Sequence, residues 1–332
     1  MSDKGVEDRL LCTFGYIVAG QYKVIDKLGS GSFSNVYKVR RILGSGPNCP
    51  GPGPGSGSVF ALKATRNEQR FQKAAQTELS ILKIVKENEY CIDFITHFDY
   101  RSHVCILFPV YNTDLYTWIK HGPLSKDQTQ ILARQLTKAL TFLKSKRIVH
   151  SDLKPENIVV ESTHPFKARV IDFGSACLVG NISHSYVQSR YYRAPEVVFC
   201  TGYECPIDMW SMALILCEAL TRRPVFPAGS ERELVTLYVE VLGIPTPVQL
   251  RRNQEGRQSV YFSVTEDGVT LLRNKDRKGR VRMPGTKAIS TVFKEYGEDF
   301  CSFVSLILTW TGRERLTPEE ALTHPYLTTT DV

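Results

Sequence analysis

The chain has 332 residues, of which 42% are hydrophobic and 23% charged, and its formal net charge is +8. This length allows a large core and predicts two lobes. No apolar run reaches the roughly 18 residues that a membrane span needs, and the first residues are charged, so we expect neither a span nor a signal peptide. Nine scattered cysteines without a Cys-x-x-Cys pair argue against a disulfide framework or zinc site. The expected location is therefore intracellular, in the cytoplasm or the nucleus.

After a loose tail over residues 1–13, the pattern predicts strands around a glycine-rich turn. Residues 22–28 alternate apolar and polar side chains, as a half-exposed strand does, and a second strand follows Gly29 and Gly31. Glycine lets the backbone approach a phosphate because it has no Cβ. A strand rather than a helix comes next, which distinguishes this turn from a dinucleotide-binding fingerprint. Residues 43–58, rich in glycine and proline, predict a flexible insertion.

A lysine and a glutamate form the next candidate pair. Lys63 ends a short apolar strand, and a helical pattern runs from about Gln69 to Lys86. Glu78 shares one face of that helix with four apolar side chains. A buried carboxylate is costly unless a cation meets it, so we predict that Lys63 pairs with Glu78. The alternative is a solvated Glu78 at the edge of the apolar stripe.

The polar sequence HSDLKPEN lies between two short apolar runs that read as buried strands. It presents Asp152, Lys154 and Asn157 on a tight loop, where catalytic groups are commonly found. Asp172 follows another β-branched run. Asn157 and Asp172 together suit Mg²⁺, which takes few protein ligands and otherwise binds water and phosphate oxygens. For the loop alone, the alternative is a polar turn without chemistry.

The remaining segments are mainly helical. A capping box at residues 125–128 starts a helix with a buried apolar stripe. A nearly all-apolar helix spans about residues 203–221 and contains Asp208, which needs hydrogen-bond donors there. The sequence Glu-Asp-Gly at 266–268 predicts a hairpin, and residues 317–320 start a last short helix.

Taken together, these motifs resemble a eukaryotic protein kinase over about residues 22–327. Finer features resemble the dual-specificity tyrosine-regulated kinase (DYRK) family, namely the segments 66–71, 185–196 and 261–269. The homeodomain-interacting and Yak-type kinases are near relatives and stay open as alternatives.

The resemblance implies an α+β fold with two lobes. The small, β-rich N-lobe would cover residues 14–110, and the larger helical C-lobe would cover residues 111–328. The C-lobe would include a family insert at about 225–295, and residues 329–332 would form a tail. A monomer is expected.

The resemblance also implies phosphoryl transfer from ATP, with Mg²⁺, to serine or threonine of protein substrates. Lys63 would position the α and β phosphates and pair with Glu78. Asp152 would orient and deprotonate the acceptor hydroxyl, and Lys154 would neutralise the transferring phosphate. Asn157 and Asp172 would bind magnesium. The main chain of Pro109 and Tyr111 would bind adenine, in front of Phe108. The residues expected to contact ATP are Leu28, Gly29, Ser30, Gly31, Ser32, Phe33, Ser34, Asn35, Val36, Ala61, Lys63, Phe108, Pro109 and Tyr111.

In the family, a tyrosine at the position of Tyr186 is phosphorylated by the kinase itself, and Arg190 and Arg193 are the predicted partners of that phosphate. Arg190 also resembles the arginine that favours proline just after the target residue. Glu196 and Arg315 would form a buried ion pair with a structural role. The resemblance identifies the loop at residues 150–157 as the catalytic loop, and Asp208 would accept hydrogen bonds from backbone N–H groups of this loop.

Two substitutions motivate a different function, a catalytically weak pseudokinase or scaffold. Ser34 replaces the third glycine of the usual turn, and Ser151 replaces the arginine of the common His-Arg-Asp sequence. Neither residue supplies the proton acceptor, the metal ligands or the phosphate lysine, so an active kinase is preferred. A basic run at residues 273–282 could bind nucleic acid, but it lacks interleaved aromatic side chains. A docking surface for acidic partners is the preferred interpretation of that run.

Overall fold

The computed structural model describes residues 8–31, 33–42, 57–181, 185–251, 257–273, 275 and 279–329. Most of the insertion predicted at 43–58 lies outside the described residues. The chain divides into two compact units, Met1–Asn112 and Thr113–Val332. The division falls two residues after the lobe boundary expected from the sequence.

The N-terminal unit contains one antiparallel sheet of six strands and one helix. The order of the strands in the sheet is β1-β2-β3-β4-β6-β5. The elements are β1 (Ile17–Val18), β2 (Tyr22–Ser30), β3 (Ser34–Arg41), β4 (Val59–Thr65), α1 (Gln69–Val85), β5 (Thr96–Tyr100) and β6 (His103–Pro109).

One face of this sheet packs on a hydrophobic cluster that includes Tyr37, Leu62 and Leu107. Leu10 belongs to the same cluster and is only 6% exposed. Its carbonyl oxygen accepts a 2.7 Å hydrogen bond from the Tyr37 hydroxyl. Within the segment expected to be a loose tail, Leu10 and Cys12 therefore pack on the sheet. The physical reason is that the sheet face needs an apolar cover, and Leu10 supplies part of it.

Helix α1 buries the stripe that its periodicity predicts. Phe71, Ala75, Leu82 and Val85 are all buried, and so is Glu78. The observed bounds, Gln69–Val85, end one residue before the predicted end.

The C-terminal unit is mainly helical, with short strands near its beginning and a separate hairpin. Its strands are β7 (Thr113–Asp114), β8 (Ile148–Val149), β9 (Ile158–Thr163), β10 (Phe166–Val170), β11 (Cys177–Leu178), β12 (Phe262–Thr265) and β13 (Gly268–Leu271). Its α-helices are α2 (Leu115–His121), α3 (Lys126–Ser145), α4 (Pro195–Val198), α5 (Pro206–Thr221), α6 (Glu231–Leu242), α7 (Pro247–Arg251), α8 (Ile289–Val292), α9 (Glu298–Ile307), α10 (Pro318–Ala321) and α11 (Pro325–Thr328). Single turns of 3₁₀-helix lie at Pro155–Asn157, Phe173–Ser175, Arg190–Tyr192, Arg257–Val260 and Lys294–Tyr296.

The core of this unit is built around α5. Every residue from Ile207 to Leu220 is buried, which is typical of a helix that is apolar on all sides. Trp210 stacks on Phe226, with ring centroids 5.9 Å apart, and Tyr238 meets the Trp210 ring edge-on. This helix gives the loops around it a rigid base.

The capping boxes and the hairpin that the sequence predicts are present in the structure. The capping box of Ser125 and Gln128 begins α3, and that of Thr317 and Glu320 begins α10. The predicted hairpin is formed by β12 and β13. No described helix combines the length and the apolarity that crossing a membrane requires. The eight cysteines in the described part of the chain are free thiols.

Candidate active site

The predicted lysine–glutamate pair is present in the N-terminal unit. Lys63 Nζ, from β4, lies 2.6 Å from Glu78 Oε1, on α1, and both residues are buried. Val36 is directly opposite Lys63 across the β3–β4 ladder, and Ala61 is opposite Phe108 across the β4–β6 ladder. Directly opposed residues lie on the same face of a sheet. Three of the predicted ATP contacts therefore share the face that carries Lys63.

The structure separates Asn35 from that group. Side chains alternate between faces along a strand, so Asn35 lies on the opposite face from Val36. Its side chain is 2% exposed, donates to the carbonyl of Leu10 at 3.1 Å and accepts from Ser30 Oγ at 2.7 Å. The Asn35 side chain therefore lies on the face of the sheet away from Lys63 and holds the N-terminal segment in place. Contact of Asn35 with ATP stays a prediction.

The glycine-rich turn joins β2 to β3. The amide of Gly31 donates to the carbonyl of Ser34 at 2.9 Å, which closes the turn. Leu28 and Phe33 are about half exposed, and the Phe33 ring meets Phe71 of α1 edge-on. Of the other predicted ATP contacts, Gly29 and Ser30 end β2, Pro109 ends β6, and Tyr111 follows it, whereas Ser32 lies outside the described residues.

In the C-terminal unit, Asp208 holds the start of the catalytic loop. Its two carboxylate oxygens accept hydrogen bonds from the backbone amides of His150, at 2.7 Å, and Ser151, at 3.0 Å. Ser151 has φ +67, a left-handed conformation that side chains other than glycine rarely adopt. Burial raises the pKa of Asp208 to about 6, although these amides and the nearby His150 favour the ionised form. The backbone amide of Ser151, rather than its side chain, makes the contact to Asp208.

The Asp152 carboxylate is surrounded by donors. Lys154 Nζ lies 2.6 Å from Asp152 Oδ2, and the Ser189 hydroxyl donates to Asp152 Oδ1 at 2.8 Å. The amide of Ser189 donates to the same oxygen at 3.2 Å. Ser189 is 37 residues further along the chain, and sequence reasoning did not single it out. The only available signal was its position directly before Arg190 in the conspicuous segment 185–196.

A backbone hydrogen bond connects the segments that carry the candidate magnesium ligands, Asn157 and Asp172. The amide of Ile171, next to Asp172, donates to the carbonyl of Asn157 at 2.9 Å. The side-chain nitrogen Nδ2 of Asn157 donates to the backbone carbonyl of Asp152 at 2.8 Å, which leaves the side-chain oxygen of Asn157 to act as a ligand. Asp172 is exposed, with φ +60. One carboxylate and one amide oxygen fit Mg²⁺, which keeps several water or phosphate ligands.

The described residues contain no cluster of three or more His, Cys, Asp or Glu side chains that could hold a metal ion.

The predicted phosphorylation site, Tyr186, lies in a network of charged and phenolic groups. Its hydroxyl donates to Glu231 Oε2 at 2.7 Å and accepts a hydrogen bond from Arg193, whose guanidinium lies 3.9 Å from the centre of the Tyr186 ring. Burial, followed by the bond to Glu231, raises the pKa of Tyr186. Arg190, the other predicted partner, instead donates to the carbonyl of Gly229 at 2.8 Å.

The predicted structural ion pair is present and buried. Arg315 Nη1 lies 2.7 Å from Glu196 Oε1, and Arg315 Nη2 lies 3.1 Å from Glu196 Oε2. Arg315 also donates to the carbonyl oxygens of Ile307, Pro206 and Thr309. The pair thus links the segment after Tyr186 to the start of α5 and the end of α9.

A pocket of 660 Å³ opens beside the catalytic loop, and we call it the loop pocket. It is lined by charged side chains of both signs, together with Ser189 and several aromatic residues. The Tyr192 hydroxyl donates to Glu218 at 2.6 Å, and burial raises the pKa of that carboxyl. The charged residues that line it are Lys120, Lys154, Glu156, Arg190, Glu218 and Arg222.

Comparison with known proteins identifies the sequence pattern. A family model described as protein kinase domain matches residues 22–327. The DYRK-family kinase pom1 of Schizosaccharomyces pombe is 35% identical over 94% of this chain and 28% of its own length. Dual specificity tyrosine-phosphorylation-regulated kinase 3 of Mus musculus is 33% identical over 93% of this chain and 54% of its own length. The chain therefore spans between about a quarter and a little over half of these two relatives. The predicted resemblance to DYRK-family kinases is confirmed.

A solved structure supports the fold in the same way. A crystal structure of another kinase domain superposes with a TM-score of 0.82, covers 96% of this chain and 99% of its own, and is 23% identical in sequence. The predicted two-lobed α+β fold is confirmed by this likeness.

Proposed function

The chain belongs to the protein kinase family, and from that premise we propose that it transfers the γ-phosphate of ATP to serine and threonine side chains of protein substrates. One observation carries the proposal. The Asp152 carboxylate is held by Lys154 and Ser189, and both of these residues line the loop pocket. A carboxylate in such a position can accept the proton of a substrate hydroxyl, while the adjacent ammonium neutralises charge on the phosphate.

The other site residues have matching roles in the proposal. Lys63, oriented by Glu78, would bind the α and β phosphates of ATP. Asn157 and Asp172 would hold Mg²⁺, which supplies positive charge next to the transferring phosphate. Since little covalent chemistry falls to the protein, the rate depends on position and electrostatics.

The test is transfer of labelled phosphate from ATP to a protein or peptide substrate by the purified chain. Asp152→Asn should lower turnover by about 10²–10⁴-fold, because the proton acceptor is lost. Lys63→Met should also abolish most activity. Matched controls are Asp127→Asn on α3 and Lys83→Met on α1, both exposed. Wild-type turnover in Asp152→Asn would contradict the proposal.

We further propose that the target residue is followed by proline and that the chain phosphorylates itself on Tyr186. The support is the resemblance at Arg190 and the contact between Arg193 and Tyr186. A Ser-Pro peptide should be a better substrate than its Ser-Ala counterpart. Mass spectrometry after bacterial expression should find phosphate on Tyr186 in the wild type and none in Lys63→Met. Equal phosphorylation of the two peptides would refute the preference for proline. An unmodified Tyr186 in a fully active chain would refute phosphorylation of the chain by itself.

The pseudokinase alternative finds less support. The amide of Ser151, rather than its side chain, makes the contact to Asp208, so the substitution there removes none of the proposed catalytic groups. An intracellular location and a monomeric state remain part of the proposal. Sedimentation of the purified chain as a single species of about 37.5 kDa would support the latter.

A further inference from the structure

Arg222 is an unusual residue at its position in the fold. It follows the last residue of α5 with φ +60, and its amide donates to the carbonyl of Glu218 at 2.7 Å. This left-handed conformation at the end of a helix favours glycine, which has no Cβ penalty. Residues held in sparsely populated backbone conformations cluster at functional sites. Arg222 is exposed and lines the loop pocket.

The guanidinium of Arg222 is held in place but not neutralised. Its Nη2 donates to the carbonyl of Lys120 at 2.7 Å, so the end of α5 is linked to the end of α2. The ammonium of Lys120 lies 4.0 Å from the centre of the Tyr116 ring. Among the residues that the structure describes, neither Arg222 nor Lys120 forms an ion pair with a carboxylate. Arg222 and Lys120 therefore both line the pocket, and the Arg222 guanidinium is anchored to the Lys120 main chain.

The other charges of the pocket do not cancel this pair. Lys154 is neutralised by Asp152, and the Glu218 carboxylate accepts from Tyr192 and is 5% exposed. Glu156 is exposed on the catalytic loop. Arg190, the remaining charged residue of the lining, is exposed and donates to the carbonyl of Gly229. The pocket consequently offers one exposed carboxylate, and Arg222 and Lys120 contribute positive charges that no carboxylate among the described residues pairs with.

We propose that Arg222 and Lys120 bind an anionic side chain of the protein substrate, a carboxylate or a phosphate, a few residues from the target hydroxyl. This proposal rests on the proposed function, since it assigns the pocket beside Asp152 to the substrate peptide. A guanidinium suits both groups, because its planar N–H fork can donate two parallel hydrogen bonds to either. Arg222 is then a specificity-determining residue for phosphoryl transfer.

The experiment measures peptide binding and phosphorylation separately. Peptides with one target serine carry aspartate, phosphoserine or alanine at each of the five positions on either side. A parallel set of peptides has alanine in place of the target serine and cannot be phosphorylated. The Kd of these peptides, measured by fluorescence anisotropy, therefore does not depend on catalysis. At one position, an anionic side chain should lower Kd and KM about three- to fivefold relative to alanine, as expected for an exposed ion pair. Comparison of the aspartate and phosphoserine arms decides between carboxylate and phosphate.

Two variants isolate the side chain. Arg222→Gly removes the guanidinium and suits φ +60, so a loss of the preference cannot be attributed to a misfolded helix end. Arg223→Ala, its exposed neighbour outside the pocket lining, removes the same charge and should leave the preference intact. The expected preference should disappear in Arg222→Gly and weaken at 0.5 M salt.

The inference is overturned if the wild type shows no anionic preference in Kd, or if Arg222→Gly keeps it. An equal loss in Arg223→Ala would also overturn it, because net charge alone would then explain the effect. Failure to transfer phosphate to any peptide, with an intact preference in Kd, would refute the proposed function and leave the binding site established.

Discussion

The hydroxyl of Tyr186 donates a 2.7 Å hydrogen bond to a carboxylate oxygen of Glu231, so the proposed phosphate acceptor contacts an acidic side chain. Glu231 also accepts from the Tyr261 hydroxyl and lies 3.3 Å from Arg257. Burial of Glu231 is outweighed by these hydrogen bonds and by Arg257, and the pKa of this carboxyl is lowered. Unmodified Tyr186 is thus already held by Glu231 on one side and Arg193 on the other.

The first prediction concerns phosphorylation of Tyr186. A phosphate there would place two negative charges against the Glu231 carboxylate, while Arg193 would attract it. We expect Glu231→Gln, which keeps an acceptor but removes the charge, to raise the Tm of the phosphorylated chain relative to the unphosphorylated chain. The control is Glu233→Gln, which removes the same charge two residues further along α6, on a different face of the helix. Thermal unfolding of both phosphorylation states of each variant checks this. If Glu231→Gln shifts both states equally, the two anions do not compete.

The second prediction concerns the pH dependence of stability through Asp208. The pKa of Asp208 is about 6 in the folded chain, whereas the ordinary value for an aspartate, which applies to the unfolded chain, is 3.8. The folded chain therefore binds this proton more tightly than the unfolded chain does. The contribution of Asp208 protonation to the free energy of unfolding is therefore fully present below about pH 4 and is lost as the pH rises through 6. Relative to Asp208→Asn, the wild type should lose up to about 3 kcal/mol of unfolding free energy over this range. Urea unfolding from pH 4 to pH 7 measures it, and parallel curves for the two proteins would refute the prediction.

The third prediction concerns Ser189 as a positioning residue. Ser189→Ala removes the hydroxyl that donates to Asp152 at 2.8 Å but keeps the backbone amide that donates to the same oxygen. We expect kcat to fall about tenfold, corresponding to one hydrogen bond to a charged group, with little change in KM for ATP. Ser189→Thr should restore activity because it keeps the hydroxyl. Ser263→Ala on the β12–β13 hairpin is the control. A fall in Tm with unchanged kcat would indicate a purely structural role.

The fourth prediction concerns the ion pair of Glu196 and Arg315. Removing one partner of a buried pair leaves the other charge without compensation, so Glu196→Gln should cost about 3–5 kcal/mol of unfolding free energy. Arg315→Met should cost more, because three backbone carbonyls also lose their donor. The double variant should cost less than the sum of the two single variants. Urea unfolding of all three checks this, and simple additivity would mean that the two residues do not interact.

Much of the local structure follows from the sequence. The apolar spacing of residues 71–85 determines which face of α1 is buried, and it places Glu78 on that face. Capping residues mark where α3 and α10 begin, because their side chains satisfy amides that the helix leaves unpaired. The order of glycine turn, lysine, glutamate and catalytic loop was sufficient to indicate the kinase family.

Contacts between distant segments were decided only by the tertiary structure. The packing of Leu10 on the sheet, the bond from Asn35 to the Leu10 carbonyl and the bond from Ser189 to Asp152 were not indicated by any local pattern. Periodicity reports which face of one element is buried, but it does not identify the partner that covers that face. The partner is chosen by packing of segments far apart in the chain, as Tyr186 with Glu231 and Arg222 with Lys120 illustrate. The residue types with candidate chemistry could thus be found from the sequence, whereas their hydrogen-bond partners depended on the three-dimensional fold.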